Sequence, residues 1–332
     1  MKLIRTEDAV GQVLCHDMTQ IIKDVKKDAV FRKGHIITEE DIPVLLSIGK
    51  EHIYVWEKKE GQLHEDEGAE ILRQMTQGTN LTATQPKEGK INLKAACPGL
   101  LKVDSRKLIA VNSVGDVMIA TKRGNTCVKE GENVAGMRVI PLVIDQVKMD
   151  EAKAAAGSEP IVNVIPLHKK KAVILATGSE IFKGRIRDTF TPVVEGKLTA
   201  FGAEIIDKKI LDDNSDVTTQ IVLDEIENGA ELVCLTGGMS VDPDDKTPLA
   251  IRNTGAEVIS YGAPVLPGAM FMLSYFHKKE KDGSEKIIPV VGLPGCVMYA
   301  GTTIFDLILP RLLADDIVKK EELYSMGEGG LL

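Results

Sequence analysis

The second half of the chain alternates short aliphatic runs with stretches of helical spacing. Residues 171–176, 203–206 with Ile210, and 231–235 are rich in branched aliphatics and too short for buried helices, so they predict strands. Between them, Val193, Val194, Leu198 and Phe201 share one helical face that stops at Gly202. Val217, Ile221, Val222, Leu223 and Ile226 form a second such face, ending near Gly229. Strand, helix, strand, helix, strand predicts a parallel α/β sheet. Residues 271–275 and 287–291 flank a charged tip containing Asp282-Gly283, which reads as a hairpin and makes the sheet mixed. A last helix is expected from about residue 298 to 313.

The first half has a different texture. Residues 10–30 carry apolar pairs separated by polar residues, and 31–37 read as a turn into a short strand. Thr38-Glu39-Glu40-Asp41 has the form of a capping box, predicting a helix to Ile48 that Gly49 ends. Residues 52–56 read as a strand and 66–75 as an amphipathic helix. From Gly89 to Val147, short strands are punctuated by Pro98-Gly99, Gly115-Asp116, Gly124-Asn125 and Gly131, which suggests a small β-barrel or sandwich. Residues 149–157 are a short helix or a linker, broken by Ser158-Glu159-Pro160. The expected organisation is an α+β segment over 1–60, a helical and polar linker over 61–88, a β-rich domain over 89–148, a linker over 149–168, and an α/β domain over 169–332.

Composition bounds the function. The chain has 332 residues, 43% hydrophobic and 27% charged, an ordinary globular balance with a formal net charge of −8. That charge argues against a nucleic-acid backbone as partner, which needs a basic surface. It leaves room for a small anionic ligand held by a local positive potential. Arg32, Lys33, Lys50 and His52 could form a basic rim, but a solvated face is the simpler reading. The five cysteines are scattered, with no C-x-x-C pair, so neither a disulfide framework nor a zinc site is suggested. The first residues lack the apolar core of a signal peptide, and no apolar run is long enough to span a membrane, so a cytoplasmic protein without a membrane partner is expected.

The candidate chemistry lies in loops that follow strands. Thr236-Gly237-Gly238-Met239-Ser240 leaves the strand at 231–235, and Asp242, Asp244 and Asp245 follow before Thr247 and Pro248, read as the cap and first residue of a helix. Glycine amides can approach an anionic oxygen, and nearby carboxylates can hold a hard cation. Together these suit Mg²⁺-assisted phosphoryl or nucleotidyl chemistry; a surface turn with a helix cap is the plainer alternative. Thr177-Gly178-Ser179-Glu180, Asp212-Asp213 and Gly292-Leu293-Pro294-Gly295 follow other strands, and in a parallel sheet such ends converge on one edge. The Walker pattern is absent.

Thr177-Gly178-Ser179-Glu180, Gly184-x-Ile186-x-Asp188-Thr189, Asp212-Asp213, Thr236-Gly237-Gly238-x-Ser240, Asp245-x-Thr247-Pro248 and Leu293-Pro294-Gly295 stand in an order that resembles the molybdopterin-binding superfamily over residues 170 to 313. That superfamily includes molybdopterin adenylyltransferases, molybdenumtransferases and a domain of competence-damage-type proteins. The resemblance implies a three-layer, mostly parallel α/β domain that binds molybdopterin near an ATP or AMP moiety and Mg²⁺. It implies Asp212 and Asp245 as the catalytic, metal-holding carboxylates. It also implies Thr177, Gly178, Ser179, Glu180, Asp188, Thr236, Gly237, Gly238, Ser240, Pro294 and Gly295 as the binding residues. A homo-oligomer is expected. The sequence departs from the molybdenumtransferase pattern at Ser179, Thr189-Phe190 and Cys296-Val297, and Asp245-Lys246-Thr247-Pro248 is closer to the adenylyltransferases. Three functions follow: nucleotidyl transfer to molybdopterin or molybdate insertion into it; a non-catalytic cofactor carrier or sensor; or a nucleotide pyrophosphatase of the competence-damage type. On this reading a valine at Gly237 would block phosphate and leave the fold intact, and Cys296 would shape the pterin loop without acting as a nucleophile.

Overall fold

The computed structural model describes the chain except residues 1, 23–25, 56–59, 241 and 243–244, and for residues 20–29 it describes the backbone alone. The chain forms two compact units. One holds residues up to 96, 103–124 and 130–163; the other holds 97–102, 125–129 and 164–332.

In the first unit, Lys2–Arg5 pairs antiparallel with His52–Val55, and Met18–Ile22 with Lys26–Phe31. Trp56, read as the end of a strand, lies outside the described residues. Leu14, Met18, Ile37, Leu45, Ile53 and Val55 close a small core beside the helix Asp41–Ser47. The box at Thr38 forms only half as expected. The Asp41 carboxylate accepts from the Thr38 N–H at 2.8 Å and from its hydroxyl at 2.9 Å, yet the helix begins at Asp41 because the intervening residues make a turn. Gly49, at φ +78°, ends it as expected. Lys33 donates to Asp66 at 2.8 Å, so it is tied to this unit's second helix, Glu65–Thr76.

Four strands, in the order Leu81–Ala83, Lys90–Ala95, Asn133–Val139 and Val117–Thr121, make one antiparallel sheet. Two features separate this region from the expected barrel or sandwich. Ser105–Asn112 is a helix, nucleated by the Asp104 carboxylate accepting from the N–H groups of Arg106 and Lys107, both at 3.1 Å. Gly99–Val103 and Thr126–Val128 leave this sheet and pair with each other beside Val162–Pro166. Gln146–Ala156 is helical, which resolves the choice between helix and linker.

The second unit is built on six strands: β1 (Lys171–Thr177), β2 (Glu204–Leu211), β3 (Leu232–Thr236), β4 (Glu257–Tyr261), β5 (Met272–Lys279) and β6 (Glu285–Leu293), in the order β2-β1-β3-β6-β5-β4. β2, β1, β3 and β6 run parallel, while β5 is antiparallel to both β6 and β4. The sheet is therefore mixed. Its helices are α1 (Ser179–Phe182), α2 (Phe190–Ala200), α3 (Ser215–Glu227), α4 (Thr247–Asn253), α5 (Ile304–Leu313) and α6 (Lys320–Ser325). β1 and β3 are apolar on both faces because each face is covered, as parallel sheets require. Ile174 packs with Val194, Leu198, Phe305 and Leu309 on one side, and Val173 with Val222, Ile226 and Ile251 on the other. Each such fully buried aliphatic contributes about 1.5–3 kcal/mol.

Two details place the site. α5 starts at Ile304, later than its apolar pattern suggests, because Thr303 and Asp306 form a capping box, and Gly295–Met298 is a separate 3₁₀ turn. The antiparallel β5 begins opposite the end of β6, with Met272 against Gly292, so the loop before it reaches the same edge as the ends of the parallel strands. The chain's last residues hold that loop. The Leu266 N–H donates to the Gly330 carbonyl at 2.7 Å, and the Leu332 N–H to the Leu266 carbonyl at 2.8 Å.

Candidate functional site

β1 and β3 end side by side at Thr177 and Thr236. The chain then turns sharply, with Gly237 at φ +88° and Gly238 at φ +52°. A Cβ on Gly237 would stand 2.0 Å from the Thr177 carbonyl oxygen. Glycine is therefore required first by the packing of two strand ends, which corrects the expectation that valine at 237 would leave the fold intact. Neither glycine N–H donates to an acceptor among the described residues. Thr247 also differs from its expected role. It is the first residue of α4, not its cap, and its hydroxyl lies 2.8 Å from that of Thr177. Thr236 is fully buried, and its hydroxyl has no hydrogen-bond partner among the described residues.

The carboxylates are held by backbone N–H groups and hydroxyls. Asp212 accepts from the Ser179 hydroxyl at 2.5 Å and from the Asp213 N–H at 3.0 Å. These two donors, the hydroxyl foremost, hold its carboxyl below the usual aspartate range. Asp213 accepts from the Ser179 N–H at 2.7 Å. Asp245 accepts from the Ser240 N–H at 2.7 Å, folding the acidic turn back onto the glycine loop. Tyr261 braces that turn by donating to the Met239 carbonyl at 2.8 Å. Burial, and then the nearby Asp245 charge, push the Tyr261 phenol up.

These loops surround a cavity of about 800 Å³. Thr177, Gly178 and Glu180 line it from the end of β1, and Gly237, Gly238, Ser240 and Asp245 from the end of β3. Pro294 and Gly295 contribute from the end of β6, where a Cβ added to Gly295 would meet no atom within 4 Å. Four expected residues lie outside this lining. Ser179 and Asp212 engage each other, Thr236 is buried in the strand, and Asp188 accepts from the N–H groups of Phe190 and Thr191 at the start of α2. Of the two carboxylates in that turn, Asp213 lines the cavity with Asp245, while Asp212 lies behind it against Ser179. Asp244 lies outside the described residues. Among those described, no three His, Cys, Asp or Glu side chains converge as metal ligands.

Other lining residues carried no signal in the loop motifs. Phe190, Met298 and Tyr299 supply apolar and aromatic surface, with Tyr299 78% exposed. Leu266, Pro267, Gly268, Ala269 and Met270 form a wall from the loop before β5. Among the described lining residues the charged side chains are Glu180, Asp213 and Asp245, with no lysine, arginine or histidine. No helix among the described residues is long and apolar enough to cross a membrane.

Residues 173–314 match the family described as "Probable molybdopterin binding domain", and residues 3–57 match "Domain of unknown function (DUF8806)". A CinA-like protein of Thermosipho melanesiensis is 27% identical over 117 residues, which cover 35% of this chain and 29% of that protein. A CinA-like protein of Fervidobacterium nodosum is 34% identical over 85 residues, 26% of this chain and 21% of that one. The chain therefore spans less than a third of the length of these relatives. Among solved structures, the tungsten cofactor synthesizing protein MoaB from Pyrococcus furiosus aligns with 49% of this chain and 97% of its own, at 18% identity and a TM-score of 0.33. Residues 173–314, the body of the C-terminal α/β domain with the loops that line the cavity, are thus the part of this chain that matches a molybdopterin-binding domain.

Proposed function

We propose that this domain binds molybdopterin in the cavity at the strand ends and serves molybdenum-cofactor biosynthesis, by nucleotidyl transfer to molybdopterin or by molybdate insertion into it. The observation that carries the reading is the convergence of three glycine-bearing strand ends on one cavity with two carboxylates, Asp213 and Asp245. In this reading the N–H groups of Gly237 and Gly238 receive the phosphate, and the open backbone at Gly295 takes the flat pterin against Pro294. The donor set suits Mg²⁺: Asp213 and Asp245 each give one oxygen to a backbone N–H and retain another as a hard ligand. A bound Mg²⁺ would neutralise phosphate charge. Asp212 then acts on the ligand indirectly, by fixing Ser179 at the start of α1.

The test is incubation with molybdopterin, ATP and Mg²⁺, following adenylylated product. Asp245→Asn keeps an acceptor for the Ser240 N–H and removes the charge. Turnover should fall roughly 10²–10³-fold, about 3–4 kcal/mol of lost transition-state stabilisation, with molybdopterin affinity retained. Normal turnover per folded molecule would leave Asp245 as a brace for the loop and no more. The resemblance to competence-damage-type proteins, with CinA-like proteins among the relatives, leaves a second reading, a nucleotide pyrophosphatase. Hydrolysis of a dinucleotide in the absence of molybdopterin would select it.

A further inference from the structure

A ligand bearing phosphates needs positive charge, and the described cavity walls offer only backbone dipoles. Every charged side chain among the described lining residues is a carboxylate. A run of cations lies in the loop between two lining residues, Ile181 and Phe190. Lys183, Arg185 and Arg187 fall within five residues, and no acid separates Glu180 from Asp188. All three side chains are exposed, and none forms a hydrogen bond or a close ion pair among the described residues; Lys183 acts at longer range, its charge helping to hold the Asp212 carboxyl low.

The loop that carries them is anchored at both ends to the cavity. Ile181 precedes it and Phe190 follows it, and both are lining residues. The Arg185 and Ile186 N–H groups donate to the Glu180 carbonyl at 2.8 and 3.3 Å, which ties the middle of the loop to the wall. Asp188 fixes the far end by accepting from the first N–H groups of α2. Gly184, at φ +69°, allows the turn. Exposed cations elsewhere in this domain are commonly paired, as Lys208 is with Glu195 and Lys286 with Glu231. A positively charged loop that follows directly on an acidic cavity wall offers two places of opposite charge, the first suited to an anionic group.

We propose that Lys183, Arg185 and Arg187 are the nucleotide-phosphate recognition lip of this cavity. Arginine suits the task because its planar fork binds phosphate oxygens in pairs. The proposal rests on the reading of the cavity as a ligand site, and the experiment keeps the two apart. Binding of molybdopterin, MgATP and adenosine to the full chain would be measured by calorimetry at two salt concentrations, for wild type, R185E/R187E and R185K/R187K. The charge reversal should weaken MgATP at least about tenfold, since a hydrogen bond to a charged group contributes on the order of a tenfold factor or more. It should leave adenosine and molybdopterin affinity and the melting temperature unchanged, and flatten the salt dependence of MgATP binding. The lysine pair should keep most of the MgATP affinity. Unchanged MgATP affinity in the folded R185E/R187E variant would overturn the lip. So would a wild type that binds molybdopterin but not MgATP, with the molybdopterin reading left standing. A wild type that binds neither would overturn both.

Discussion

The two edges of the C-terminal sheet carry similar numbers of carboxylates and use them in opposite ways. At the edge where β1, β3 and β6 begin, a cavity of about 590 Å³ is lined by Lys170, Glu231, Lys286, Asp315 and Asp316 among others. There Glu231, Asp315 and Asp316 each meet a lysine or arginine. Lys170 pairs with Asp315, Lys286 donates to Glu231 at 2.6 Å, and Lys102 reaches Asp316 at 2.9 Å. Arg311, only 1% exposed, spans Asp316 at 2.5 Å and Glu322 at 3.0 Å. At the opposite edge Asp212, Asp213 and Asp245 meet hydroxyls and backbone N–H groups instead. One edge is neutralised internally and holds the fold together. The other keeps its negative charge and its glycine backbone available. A cavity in an α/β sheet is thus better judged by whether its charges are already spent than by its size.

The contrast can be broken most forcefully at the neutralised edge. Arg311→Ala leaves Glu322 without its buried partner and Asp316 with Lys102 alone, and empties a fully buried site, which together should cost about 3–5 kcal/mol. A midpoint of urea unfolding indistinguishable from wild type would mean that the network holds nothing. Gly237→Val attacks the other edge through geometry alone. The collision with the Thr177 carbonyl and the left-handed backbone together should cost about 2–5 kcal/mol, read as a lower melting temperature before any ligand is added. A full-strength fold with lost binding would return the glycine to a purely ligand-facing role.

The smallest expected effect sharpens the contrast without touching stability much. The Asp212 carboxyl is held low by the Ser179 hydroxyl, so this pair contributes stability that is present above the ordinary aspartate pKa and is lost as pH falls through the depressed value. Ser179→Ala should raise the Asp212 pKa toward its ordinary value and narrow that acid window. A carboxyl-resolved NMR titration would show it, and an unmoved Asp212 would place the cause elsewhere.

Much of the fold was legible because the strands advertise themselves. A run such as Lys171–Thr177, apolar on both faces, has no other economical home than a covered parallel sheet. The glycine loops were legible for the same reason, since each follows such a run. The choice between Asp212 and Asp213 was not, because adjacent residues of a turn differ only in which carboxylate the Ser179 hydroxyl captures. The wall from Leu266 to Met270 was hidden by topology: a loop reaches this edge only because β5 runs backwards. The helix Ser105–Asn112 is hidden amid strand-like text, although Asp104 before Ser105-Arg106-Lys107 carries a readable cap.

The pairing of Leu266 with Gly330 and Leu332 has a consequence in time as well as in space. A ribosome makes the glycine loops and the Leu266 wall long before it makes Gly330. A nascent chain can therefore assemble β1, β3 and β6 and their loops while one wall of the cavity still lacks its backbone partners. On this account the cavity wall is completed only once residues 330–332 are in place, and a proteolytic nick after Met326 would return a finished molecule to that earlier state.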